Sequence, residues 1–145
     1  MRNLPITVVI VDPGMPAYKC QILDTYDSFC EIVNRGVSEE DLSGYESFPD
    51  FLPNHRTYTY FVKDIGKCLN LPSNRIVRMD KSYFQHTDVT AGSFLITRFD
   101  DLGECVSLND KECDFLISEM NRPERKAPVI ENYEEHMVIT TLFER

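Results

Sequence analysis

The sequence predicts an α+β fold: a mostly antiparallel sheet of about four to six strands with two helices packed on one face. Three observations lead there. Short β-branched and aromatic runs recur along the chain, each closed by proline, glycine or asparagine, as strands joined by turns should be. Two other stretches place apolar residues at i, i+3 and i+4, the spacing of one helix face. At 145 residues the chain has a common single-domain length, enough to bury roughly two-thirds of its unfolded surface around one core.

Taken in order, residues 6–11 form a β-branched first strand, stopped by the turn chemistry of Asp12, Pro13, Gly14 and Pro16. Residues 18–23 alternate polar and apolar and predict a second strand antiparallel to the first. A helix should follow. Thr25 or Asp27 can cap it, Phe29, Ile32 and Val33 share its apolar face, and Gly36 offers a left-handed end. Residues 37–57 read as an insertion-like segment. Glu39, Glu40 and Asp41 open a short helical turn, while Gly44, Pro49, Pro53 and Asn54 interrupt any regular pattern. Tyr45, Phe48, Phe51 and Leu52 still need burial, so the segment is expected to lie across the core as an ordered excursion.

The clearest strand spans 57–62, and a loop-rich stretch follows over 64–75. A short strand at 76–77, a longer one at 91–98 and an edge segment at 104–106 complete the expected sheet. Ser107 to Asp110 has capping-box spacing, with Asp at the position where Glu is preferred. Cys113, Leu116, Ile117 and Met120 then form the stripe of an amphipathic helix, which Pro123 ends. Residues 121–145 read as a C-terminal extension of this single domain. Within it, 137–143 is expected to add a late strand or to pair with a second copy, leaving a homodimer open.

Composition limits the setting. A hydrophobic content of 42% with 27% charged residues argues against global disorder. Cys20, Cys30, Cys68, Cys105 and Cys113 are odd in number and show no Cys-x-x-Cys spacing, so a reduced cytoplasm is expected. Met1 leads into the first strand with no small-residue cleavage site, and no apolar run approaches the roughly 20 residues that span a bilayer. The net charge of -9 disfavours direct binding of nucleic acid and suits a basic protein partner; solubility alone is the plainer explanation of that charge.

No catalytic apparatus is legible, and the chain is expected not to be an enzyme. His55, His86 and His136 stand far apart, with no paired metal ligands on one element, so neither a metal nor a cofactor is called for. There is no Gly-x-Ser-x-Gly elbow and no phosphate-binding glycine loop. Neighbouring carboxylates such as Asp100 with Asp101, or Glu134 with Glu135, are read as solvated turns. The densest stretch is 63–75, where Lys67, Asn70, Asn74 and Arg75 are the candidate ligand- or partner-binding residues. A constrained loop can present such donors to an anionic or polar ligand. The plainer reading is that the asparagines bond their own backbone as Asx-turns, with Arg75 pairing to one of many nearby carboxylates.

That stretch resembles the domain of unknown function 3846 family, small proteins of bacteria, their phages and conjugative elements. The resemblance runs over roughly residues 6–120. It rests on Val11, Asp12, Pro13 and Gly14, on Gly66 and Lys67, and on the block Leu71, Pro72, Ser73, Asn74 and Arg75. Ala91, Gly92, Ser93 and Phe94, then Ser107, Leu108, Asn109 and Asp110, follow in the family's order. The family's Gly-Gly is not clearly present, Ser43 and Gly44 being the nearest counterpart. The resemblance implies carriage by a phage or mobile element, with no established activity. Two functions of different class remain: a non-catalytic acidic protein binding a host nucleic-acid-processing or defence protein, and a small-ligand-binding regulatory domain using the 64–75 loop.

Overall fold

A computed structural model describes residues 3–64, 66, 69–81 and 84–127. Cys68, His136 and the segment 137–143 lie outside the described residues. The fold is α+β, and every strand pairing within it is antiparallel. Strands β1 (Pro5–Val11), β2 (Tyr18–Leu23), β3 (Tyr45–Phe51), β4 (Thr57–Lys63) and β7 (Phe94–Phe99) build the main sheet in the order β2-β1-β7-β4-β3. The short β8 (Cys105–Val106) adds to β7, and β5 (Ser73–Lys81) with β6 (Phe84–Ala91) forms a separate ribbon. Helices α1 (Tyr26–Val33) and α2 (Asp110–Met120), with short 3-10 turns at Glu39–Asp41 and Pro123–Arg125, complete the described elements.

The two helices lie on opposite faces of the sheet, not on one face as the sequence suggested. Ile6, Val8 and Ile10 of β1 pack with Phe29, Ile32 and Val33 of α1. Val9 and Val11 of the same strand pack with Cys113, Leu116 and Met120 of α2. Successive side chains of a strand point to opposite faces, so the sheet is a middle layer with a core on each side. β4 and β7 divide in the same way: Phe61 and Leu95 join α1, while Tyr58, Tyr60, Phe94 and Ile96 join α2. Val77 of β5 belongs to the α2 core, so the ribbon helps α2 to close that side.

Local chemistry accounts for the elements. Thr25 caps α1 by accepting the Ser28 amide at 3.1 Å. The cap of α2 is Asn109, two residues beyond the expected Ser107. Asn109 Oδ1 accepts the Glu112 amide at 2.8 Å, and Glu112 Oε1 accepts the Asn109 amide at 3.2 Å. Glu112 thus closes the box with the preferred residue type. The segment 37–57 keeps its expected helical turn at Glu39–Asp41, but residues 45–51 are a strand of the sheet itself. Pro49 is tolerated there because β3 is an edge strand, where a missing N–H does least harm. Phe48 and Leu52 are buried, whereas Phe51 is exposed.

The expected strand over 91–98 is interrupted: β6 ends at Ala91, and β7 begins at Phe94. Gly92 makes the corner with φ +80°, and a Cβ placed there would lie 2.9 Å from Leu71 Cδ1. The expected two-residue strand at 76–77 is the centre of β5.

Candidate functional site

The 64–75 loop descends from β4 to the start of β5, and its end is fastened into the body of the protein. The Leu71 amide donates to the Gly66 carbonyl at 3.1 Å, and the Gly92 amide to the Pro72 carbonyl at 2.8 Å. Asn74 is buried, and its Nδ2 donates to the carbonyls of Val11 at 2.8 Å and Gly92 at 2.9 Å. Arg75, 5% exposed, reaches three places. Its Nε donates to the Met120 carbonyl at 2.8 Å, its Nη1 to Asn74 Oδ1 at 3.0 Å, and its Nη2 to the Met15 carbonyl at 2.5 Å. The guanidinium therefore joins the end of α2, the turn after β1 and the start of β5.

Of the four sequence candidates, Asn74 and Arg75 meet at a concave surface, a cleft of about 490 Å³. Gly14, Met15, Pro16, Ser73, Asn121, Lys126 and Ala127 line the rest of it. Asn70 is exposed, has φ +53°, and does not line the cleft. Lys67 lies outside the described residues. The Pro13–Gly14 turn on the rim is held by Asp12, which accepts from Ser93 Oγ at 2.5 Å, Tyr18 OH at 3.1 Å and Arg35 Nη1 at 3.1 Å. Burial pushes the Asp12 carboxyl up, but these donors and the Arg35 charge outweigh it and hold it below its usual value.

Sequence reasoning missed a second cluster. Lys63 ends β4 with its side chain fully buried, and its Nζ lies 2.5 Å from Ser43 Oγ and 3.8 Å from Asp64 Oδ1. Ser43 Oγ lies 2.6 Å from the same Asp64 oxygen. The hydroxyl accepts from the ammonium and donates to the carboxylate, so a buried cation is satisfied through a neutral relay. Asn34 fixes this loop by donating its Nδ2 to the Ser43 carbonyl at 2.9 Å and the Cys30 carbonyl at 2.8 Å. The arrangement is a structural ion relay. Ser43→Ala is expected to destabilise the protein by about 1–3 kcal/mol, since it strips a buried ammonium of its nearest acceptor. Urea unfolding checks it, and a loss below the fitting error would mean that Asp64 alone suffices.

Cys20, Cys30 and Cys113 are free thiols, and no group of three His, Cys, Asp or Glu among the described residues could hold a metal ion. No helix among the described residues is long and apolar enough to cross a membrane. Comparison with protein-family models, curated proteins and solved structures found no match to this chain.

Proposed function

We propose that this chain is a non-catalytic binding protein of a phage or mobile element, acting in the cytoplasm as an acidic ligand for a basic host protein. A nucleic-acid-processing or defence enzyme is the intended class of partner, since such enzymes present cationic surfaces to phosphates. One observation carries the reading. From Asp24 to His55 the only Lys or Arg is Arg35, and its side chain is engaged by Asp12 and Tyr18. Across the same span Asp27, Glu31, Glu39, Glu40, Asp41 and Glu46 are all exposed. Within this acidic region Tyr26 is 53% exposed and Leu42 is 54% exposed. Tyr26 packs on Tyr45 with ring centroids 5.3 Å apart, so it is held in place and not free to fold away. Rigid aromatic anchors within a charged surround are what protein interfaces favour. The resemblance to a mobile-element family supports the same reading.

The test is capture from host lysate at low salt, with wild-type protein and with the triple variant Glu39→Lys, Glu40→Lys, Asp41→Lys. A specific basic partner is expected on the wild type, lost from the variant and released near 0.5 M salt, roughly where screening shortens to a few ångströms. Recovery of no partner at low salt overturns the reading.

A further inference from the structure

The cleft beside Arg75 points to a ligand of its own. Most described basic side chains have acidic partners: Lys19 with Asp110, Arg35 with Asp12, Arg56 and Arg98 with Glu112, Arg125 with Glu119. Among the described residues Arg75 has none. Its contacts there are carbonyl and amide oxygens, and burial pulls the guanidinium below its usual value. Lys126, also on the cleft wall, makes no ion pair among the described residues. The two form an antiparallel bridge, Arg75 opposite Lys126, which sends both side chains to the same side. Among the described residues, Glu119 is committed to Arg122 and Arg125, and Glu124 to Arg122. In a chain of net charge -9, two cations on one cleft wall with no carboxylate between them call for an explanation.

We propose that this cleft binds a small organic anion, with a carboxylate or phosphate head at Arg75 and Lys126 and an apolar body against Met15, Pro16 and Ala127. Its volume of about 490 Å³ falls within the usual range of small-molecule sites, roughly 300–1,000 Å³. Asn121 adds a donor: its Oδ1 is occupied by the Ala17 amide at 2.8 Å, which leaves the Nδ2 hydrogens for a ligand. Arg75 has five N–H groups, and among the described residues its contacts with Met120, Asn74 and Met15 leave one Nη2 hydrogen unspent. No described carboxylate pairs with its charge. An oxyanion supplies what these groups lack, and a charge-assisted contact is about twice as strong as a neutral one. This site is independent of the acidic surface around α1, so either proposal can fail alone.

The experiment uses the full chain, with phenyl phosphate and benzoate as probes in calorimetric titration and thermal unfolding, against sodium chloride at matched ionic strength. Saturable binding of at least one probe is expected, and the preferred probe identifies the head group. Lys126→Glu, an exposed change that should leave the fold intact, is expected to weaken that binding about tenfold. Asn121→Ala is expected to weaken it to a smaller degree. Absence of binding by both probes overturns the proposal. Binding that neither substitution alters overturns it too.

Discussion

Replacing Glu112 with alanine is expected to destabilise the protein by about 2–4 kcal/mol, from the loss of a helix-capping bond and of charge-assisted hydrogen bonds from Arg98. Glu112 is 3% exposed and serves three structures at once. Its carboxylate closes the α2 capping box, accepts from Arg98 Nε at 2.7 Å and Nη2 at 3.3 Å, and meets Arg56 Nη1 at 3.4 Å. It therefore ties the first turn of α2 to β7 and to the corner between β3 and β4. Alanine would orphan the Asn109 amide and leave Arg98 half-buried without its counter-charge. Burial alone would push the Glu112 carboxyl up; hydrogen bonds from Arg98 and Asn109, with the charges of Arg98 and Arg56, pull it below its usual value. A depressed carboxyl contributes stability that is present above its unfolded value, about 4.3, and is lost as pH falls through the folded value. Unfolding midpoints of wild type should thus drop on acidification below about pH 5, and Glu112→Gln should flatten part of that decline. An unchanged acid limb in Glu112→Gln would place the sensitivity elsewhere, Asp12 being the next group with the same sign.

The sheet and both helices were legible because their signals are local. Residues 57–63 and 18–23 alternate or branch at Cβ as strands do, and Cys113, Leu116 and Met120 recur at helical spacing. The sidedness of the helices was not read, although the clue was present. Residues 6–11 are apolar except for Thr7, and a strand buried on both faces loses its alternation. Pro49 misled for a related reason. A proline breaks a central strand but not an edge, and which strand is the edge is decided by long-range order. The α2 cap moved because Ser107 has other work: its Oγ accepts the Thr7 amide at 2.8 Å, joining the segment after β8 to β1. Asn109 and Glu112 also had the box spacing, with the better residue type.

The candidate site was half legible. Asn74 and Arg75 stood out as polar residues in a constrained loop, and they do border the cleft. Their partners are backbone carbonyls of Val11, Met15, Gly92 and Met120, far away in sequence and carrying no side-chain signal. Lys126 and Asn121 reach the same place only because α2 ends beside β5, which no local pattern announces. The Ser43, Lys63 and Asp64 relay was hidden in the same way, since Ser43, two residues before β3, reaches Lys63 at the end of β4 only through the pairing of those strands.

Arg75→Lys is expected to destabilise the fold by about 3 kcal/mol despite preserving the charge, because hydrogen bonds made by charged groups are worth about 1.5–3 kcal/mol and more than one is lost. The guanidinium is a planar fork whose arms reach Met120, Asn74 and Met15 in different directions. An ammonium offers its donors from a single point and cannot span those three acceptors, so at least two of them lose their partner. Asn74→Ala should also be costly, since its amide holds the Val11 and Gly92 carbonyls together. The double variant should lose less than the sum of the two, because the bond from Arg75 Nη1 to Asn74 Oδ1 is broken once and not twice. Urea unfolding of the three variants measures that coupling. Strict additivity would mean that the two residues fasten separate joints, and a loss below about 1 kcal/mol in Arg75→Lys would mean that charge, not fork geometry, holds the start of β5 to the end of α2. The distinction matters for the cleft. A residue with four of its five N–H groups held by the fold lends a ligand one donor and its charge, and Lys126 would then set much of the affinity.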